Sequence, residues 1–409
     1  MVSVSYFFPF FLITGLTIPV YAAVFSKDNL SNSGFNLTLH YTSETMANVS
    51  GGLKRGSNLS GMGNVVLDYA AQKSSEGHSH LSLHASGMFL HGESPSKKYI
   101  GDELGASNID GYDSIRLYEL WLQLSFWNNR GSLRFGSLLA DEEFAFTELG
   151  GLFLNSAFGW PAFISANTVN TGPAFFVTAP GIRMRLESTK SWYIQGGIYD
   201  GDSFDNPAGD GNASAYGVHW QITPQQGYFS MFEIGHMNTQ ISQNTAVPSF
   251  FKLGGWIHSA SFDDHLTESP HRGNYGLYFT MERSIWRNNR KGQELGIFFR
   301  SGLAPRDRNR YELAIDGGFN FLNPFTKMER DVVGAGISFA KVSDNIRQAE
   351  EQTGIIPVSD YELAFEVTGQ FPVTPWLTLQ PNVQWIHHPG SSSTLSNALV
   401  VSIRSTFTF

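Results

Sequence analysis

Arg134, Arg183 and Arg185 each stand between apolar residues, in "SLRFG" and "IRMRLE". Glu119 and Trp121 do so in "YELWLQL", and Tyr193 in "WYIQGG". An arginine fork offers five N–H donors, a carboxylate offers only acceptors, and an aromatic ring offers a flat face to a cation. Brought together, such groups would hold a polar, hydrogen-bonding solute. They would equally make a plain wetted wall with internal salt bridges, and both readings stand at this stage. The run Asp141, Glu142 and Glu143 could pair with the arginines or merely begin a solvated acidic loop, and Trp160 follows in the same stretch.

Other patterns invite chemistry and carry less. His78, His80 and His84 share one face of a strand at even offsets, a spacing that a metal could use, but they fit a plain polar face and no metal is assigned. "GDS" at Gly201–Ser203 lies in a run of Asp, Gly and Asn typical of turns, without a His–Asp pair at a telling distance. The same run fails the alternating ligand pattern of a calcium loop after Asp202. No catalytic residue and no cofactor is assigned.

The elements that position these residues are strands. Alternation of period two runs through the chain, as in "YELAFEVTGQF", where Tyr361, Leu363, Phe365 and Val367 oppose Glu362, Ala364 and Glu366. Candidate strands lie near residues 35–42, 62–71, 80–90, 114–127, 131–139, 180–188, 191–200, 213–222, 226–237, 249–259, 273–283, 292–301, 310–318, 331–341, 360–372, 375–387 and 397–409. Short turns alternate with long polar connections after His91, Ala140 and Asp200. That asymmetry suits an antiparallel membrane barrel, apolar outward and polar inward, whose strand number is even. The 213–222 segment sits among Gly and Asp and is set aside, which leaves sixteen strands.

On this frame Tyr118, Leu120, Leu122 and Leu124 face lipid, and Glu119, Trp121 and Gln123 face a lumen. Arg134, Arg183, Arg185, Tyr193, Gln195 and Tyr199 join the inner face, with Glu282, Asp316, Glu362, Glu366 and Arg300. Arg116 has the parity of the lipid face, where a charge costs about 2–4 kcal/mol at the midplane. Either it lies at the outer rim or a bulge near Leu117 reverses the register. In the last strand Leu399, Val401, Ile403, Phe407 and Phe409 face lipid, while Ser402, Arg404, Thr406 and Thr408 face the channel. Its backbone must pair with the first strand, near Phe35–Tyr41, to remove the sheet edges.

Composition agrees. Only 15% of the 409 residues are charged, against roughly 25% in ordinary domains, while 14% are aromatic and 42 are Gly. No run after the N-terminus approaches the roughly 18 apolar residues of a spanning helix. Residues 1–22 read as a cleaved secretory signal peptide ending at Ala22, which leaves 23–409 as a single domain. There is no Cys, and the net charge of −9 offers no basic footprint for nucleic acid.

"SIRLYELWLQLSFWNNRGSLRFGSLLADEEFAF", "LFLNSAFGWPAF", "SWYIQGGIYDGD", "TPWLTLQPNVQWIHHPG" and the closing "SNALVVSIRSTFTF" resemble the carbohydrate-selective porins of the OprB family over nearly the whole mature chain. The resemblance implies a sixteen-stranded outer-membrane barrel passing small, glucose-like sugars through a narrow eyelet. It also implies Phe409 as a signal to the barrel-assembly machinery, and an inward role for Arg116. Many relatives read Gly-Arg where this chain has Gly136-Ser137. The 140–179 stretch is expected to fold partly into the lumen as a constriction. Eyelet candidates are then Arg116, Glu119, Trp121, Arg134, Asp141, Glu142, Glu143, Trp160, Arg183, Arg185 and Tyr193. Expected surroundings are outer-membrane lipid and lipopolysaccharide, with the chain a monomer or homotrimer. A channel for another solute such as arginine, or a general diffusion pore, remains the alternative.

Overall fold

The structure is a computed structural model that describes residues 34–409 apart from 71–78, 189–190, 207–215, 238–246, 248, 268, 326–329 and 355–358. The expected leader and His78 lie outside the described residues.

Sixteen antiparallel strands close on themselves, each paired with its neighbours in sequence. The first, β1 (Phe35–Ser50), pairs with the last, β16 (Ala398–Thr408), from His40↔Thr408 up to Ser50↔Leu399. The Phe409 N–H extends that seam by donating to Leu39 O at 3.0 Å. Closure leaves no backbone edge to lipid, where each unsatisfied group costs several kcal/mol. The 213–222 segment set aside from the candidates carries no pairing of that kind: 216–223 lies outside every strand, and 213–215 fall outside the described residues.

Alternation is inverted relative to a soluble sheet. In the strand Tyr361–Thr374 the fully buried side chains are Glu362, Ala364 and Glu366, while Phe365 and Val367 are exposed. The apolar band therefore faces outward, and aromatics such as Trp192, Trp286, Trp376 and Phe407 gather at the end that carries the short turns. The inner face is polar, and a loop packs onto it.

The strand that carries the most candidates departs from simple alternation. In β4 (Ser114–Phe126) the register against β3 (Ser79–His91) passes from Ala85↔Leu120 to Gly87↔Leu117. Tyr118 and Glu119 thus both stand opposite Ser86, whose hydroxyl accepts the Glu119 N–H at 3.1 Å. This bulge reverses the parity above it: Ile115 is 70% exposed and Arg116 only 4%. The parity conflict at Arg116 is resolved inward. Tyr118, expected against lipid, is instead buried on the inner face, because the inserted residue carries it across the sheet.

Candidate functional site

After β5 (Gly131–Leu138) the chain turns into the barrel and returns at β6 (Ala179–Glu187). Residues 139–178 contain only single helical turns, so most of their backbone groups need partners from outside. The wall supplies them. Glu282 accepts the N–H groups of Glu148 and Leu149 (3.1 and 2.6 Å), and Glu366 those of Leu154 and Asn155 (2.7 and 2.9 Å). Glu233 accepts the Ala145 N–H at 3.2 Å. Fully buried Arg300 donates to the carbonyls of Ala145 (2.8 Å), Ala157 (2.5 Å), Phe158 (3.1 Å) and Gly159 (2.9 Å), and its Nε pairs with Asp316 at 2.9 Å. Phe153 and Phe158 pack on Phe298 of the wall.

The inward acids are thus taken up by the loop. Glu282 and Glu366 do face inward, but their oxygens hold loop amides. Glu362 is likewise occupied by the N–H groups of Glu103, Leu104 and Gly390.

The loop's first turn meets the wall of β4 to β7 (Trp192–Asp200). Glu143 lies between two arginines: Arg134 Nη1 is 2.7 Å from Oε1, Arg183 Nη2 donates to Oε1 at 3.0 Å, and Arg183 Nε pairs with Oε2. Gln123 Oε1 accepts from both arginines (3.2 and 3.1 Å), and Gln195 Nε2 holds the Glu143 carbonyl at 2.7 Å. The Arg134 guanidinium stacks 3.8 Å over Trp121, and His84, from the strand on the other side, stacks on the same indole at 4.9 Å. Trp121 is therefore sandwiched, with its Nε1–H given to Glu119 at 3.2 Å, and presents no open face to a solute. Arg185 covers Tyr193 at 3.8 Å, and the Tyr193 hydroxyl donates to Glu233 at 2.8 Å.

Two water-accessible spaces share Glu142 as a wall residue here. An outer vestibule of about 930 Å³ is bounded by Tyr112, Tyr118, Asp141, Glu142, Trp160 and Phe175, among others. An inner cavity of about 390 Å³ is bounded by Arg134, Glu142, Glu143, Arg183, Arg185 and Lys252, among others. Glu142 borders both and is exposed, and its carboxylate has no hydrogen-bond partner among the described residues.

Of the sequence candidates, Glu142, Glu143, Arg134, Arg183, Arg185 and Tyr193 thus line one passage. Asp141 and Trp160 stand at its outer side, where Asp141 accepts the Phe175 N–H at 2.9 Å and Trp160 donates to Thr171 O at 2.7 Å. Glu119 and Trp121 support Arg134 from behind. Arg116 is inward but away from the passage: it donates to Phe176 O at 2.9 Å and to Ser114 Oγ at 3.0 Å, and its guanidinium lies 4.6 Å from the Tyr112 ring. It pins the end of the loop. Ser137 bonds Thr178 Oγ1 at 2.6 Å in the same buried joint. Lys252 was not anticipated. It is a lone charge in the apolar "FFKLGGW", and that isolation was the available signal; its Nζ donates to Phe146 O at 2.8 Å.

Among the described residues, His80 and His84 do not gather as a ligand set. His84 Nδ1 pairs with Asp68 at 2.7 Å and its Nε2 lies 3.4 Å from Glu119. A different trio, Asp264, His271 and Asp307, stands at the loop end of the barrel. There the His271 hydrogen bond, aided by the Thr267 and Leu266 amides, holds the Asp264 carboxyl below its ordinary range. Asp307 is forked to Arg308 at 2.9 and 2.8 Å, so the trio reads as an ion-pair cluster.

A closed sixteen-strand antiparallel barrel with an apolar outer belt and a loop lodged inside is the architecture of an outer-membrane porin. Residues 73–409 match the model of the carbohydrate-selective porin, OprB family, and the chain belongs to that family. It is 22% identical to Porin B of Pseudomonas aeruginosa over 422 residues, covering 92% of this chain and 88% of the other. A high-pH structure of Pseudomonas putida OprB superposes with a TM-score of 0.80 at 20% identity, over 93% of this chain and 96% of that one. The outer-membrane channel DcaP of Acinetobacter baumannii shares the fold more distantly, with a TM-score of 0.55 at 8% identity over 92% and 97% of the two chains. The protein is a carbohydrate-selective porin of the bacterial outer membrane.

Proposed function

We propose that glucose-like monosaccharides diffuse passively through the passage where Glu142 and Glu143 of the inward loop face Arg134, Arg183 and Arg185 of the wall. The observation that supports this reading is the Arg134–Glu143–Arg183 cluster beside the junction of the two spaces. Planar forks and carboxylates suit vicinal hydroxyls, which donate and accept in pairs. Tyr112, Trp160, Phe175 and Phe176 give the outer vestibule apolar faces for the C–H side of a sugar ring. The 139–178 loop is, on this reading, the constriction.

A second reading, passage of a basic amino acid, draws on Asp102, Glu103, Asp110, Asp113, Asp141 and Glu142 around the vestibule. The next space inward opposes it, since Arg134, Arg183, Arg185 and Lys252 there outnumber Glu142, Glu143 and Glu148. In planar bilayers, glucose should block single-channel current saturably and arginine should not. Block by arginine alone would reverse the assignment, and ohmic current with neither block would leave a general diffusion pore.

Phe409 is further proposed as the assembly signal. It is 65% exposed at the end of the seam. Deleting it should lower the yield of inserted, heat-modifiable porin while leaving the conductance of inserted channels unchanged; normal insertion with altered conductance would contradict this.

A further inference from the structure

The wall of the barrel is not uniformly tall. β4 has 13 residues, but β5 has 8, and β6 and β7 have 9 each. β4 pairs with β5 only from Leu120 to Phe126, because the chain that would have continued β5 turns into the lumen. The upper part of β4, from Ser114 to Glu119, therefore has no β5 neighbour. Left open, this notch would present unsatisfied backbone to the surroundings of the barrel.

The notch is filled from the long connection between β7 and β8 (Tyr228–Met237). Residues 216–223 lie in β5's place, and the Leu117 N–H donates to Tyr216 O at 3.0 Å. The approach is close enough to require glycine: Gly217 has φ +68°, and a Cβ there would stand 1.8 Å from Leu117 O. On its other side the segment is tied to Asp205, which accepts from the His219 ring (2.9 Å), the Gln221 N–H (3.0 Å) and Gln226 Nε2 (2.6 Å). Behind it, between Arg116, Thr178 and Trp220, the gap admits water to only about 10 Å³. Tyr216, Val218, Trp220 and Ile222 are 71, 61, 47 and 59% exposed, and residues 216–226 contain no Asp, Glu, Lys or Arg.

We propose that 216–222 serves as a substitute wall strand whose apolar side chains lie against acyl chains of the outer leaflet. The apolar row continues the lipid-facing belt: Ile115 and Leu120 of the strand it borders are themselves exposed outward. Long connections mark the external end of such barrels, which places the segment in the outer half of the membrane. A second copy of the chain is the other candidate occupant. Four side chains in a single row fall well short of the roughly 800 Å² per partner of a stable interface.

The chain has no cysteine, so Val218→Cys can carry a nitroxide as the only label in the full-length porin. In reconstituted bilayers its collision rates with oxygen and with a water-soluble nickel chelate report its surroundings. The oxygen-to-nickel ratio should equal that of Val367→Cys in the belt and exceed that of Glu351→Cys on the external helix Asp344–Thr353. Nickel access equal to that at Glu351 would place the segment in water and overturn the proposal. Exclusion of both reagents, with dipolar broadening between copies, would assign the surface to a second chain and overturn it equally.

Discussion

Arg300→Ala should raise single-channel conductance and lower the temperature of heat-modified migration together. The side chain is fully buried and holds two separated parts of the inward loop, at Ala145 and at Ala157–Gly159, to the wall. Removing it strands four carbonyls and leaves Asp316 buried without its cation. Breaking a buried pair by deleting one partner costs on the order of 3–5 kcal/mol. The loop would be freed at the site where its first turn faces the arginine wall, so the passage should widen and its current become noisier. Arg404→Ala is the control: Arg404 pairs across the seam with Glu44 at 2.7 Å and, among the described residues, forms no hydrogen bond or ion pair with 139–178. It should lower stability and leave conductance as it was. If Arg300→Ala behaves like Arg404→Ala, the loop is held by the other wall groups and the clamp assignment fails.

Glu143→Gln should shift the reversal potential in a salt gradient toward anions and weaken glucose block roughly tenfold, equivalent to about 1.4 kcal/mol. Glutamine preserves the shape and one acceptor oxygen, so the loop stays in place through Glu233, Glu282 and Arg300. The negative charge that reconciles Arg134 with Arg183 is lost, and two neighbouring guanidiniums then repel. Arg134, the more exposed of the two, is expected to swing off Trp121 and lose the geometry offered to a solute. A reversal potential equal to that of the native channel would show that this cluster does not set the field in the passage.

Period-two alternation sufficed to find all sixteen strands, because each wall residue meets lipid on one face and polar groups on the other. It also placed Arg134, Arg183, Arg185 and Tyr193 on the inner face. The bulge was half visible. Arg116 and Glu119 are three apart, a spacing that a regular strand cannot put on one face, and the conflict pointed to the right strand but not to Tyr118. The purpose of Glu282, Glu362 and Glu366 was not legible. A carboxylate that will accept two backbone amides from a loop more than a hundred positions away looks the same in sequence as one that will line water. Trp121 raised the opposite difficulty: an inward aromatic reads as a platform until the neighbours that cover it, His84 and Arg134, are in place. The 216–222 row showed its alternation plainly, yet it borders a strand whose regular neighbour is cut short by a loop that turns inward, which local pattern does not encode.

The seam between β1 and β16 has a consequence for how the chain reaches this state. The His40–Thr408 hydrogen bond joins residues 368 apart, whereas each other strand pairs with a neighbour one turn or one loop away. Closing a loop of that length costs roughly 5 kcal/mol in chain entropy by the (3/2)RT ln n estimate, and contacts of such sequence separation slow folding. The seam must therefore form after the hairpins between it have shortened the effective loop. Until then the 16-residue edge of β1 is an unpaired strand open to wrong partners, so the first strand to be synthesised is also the one that waits longest for its mate.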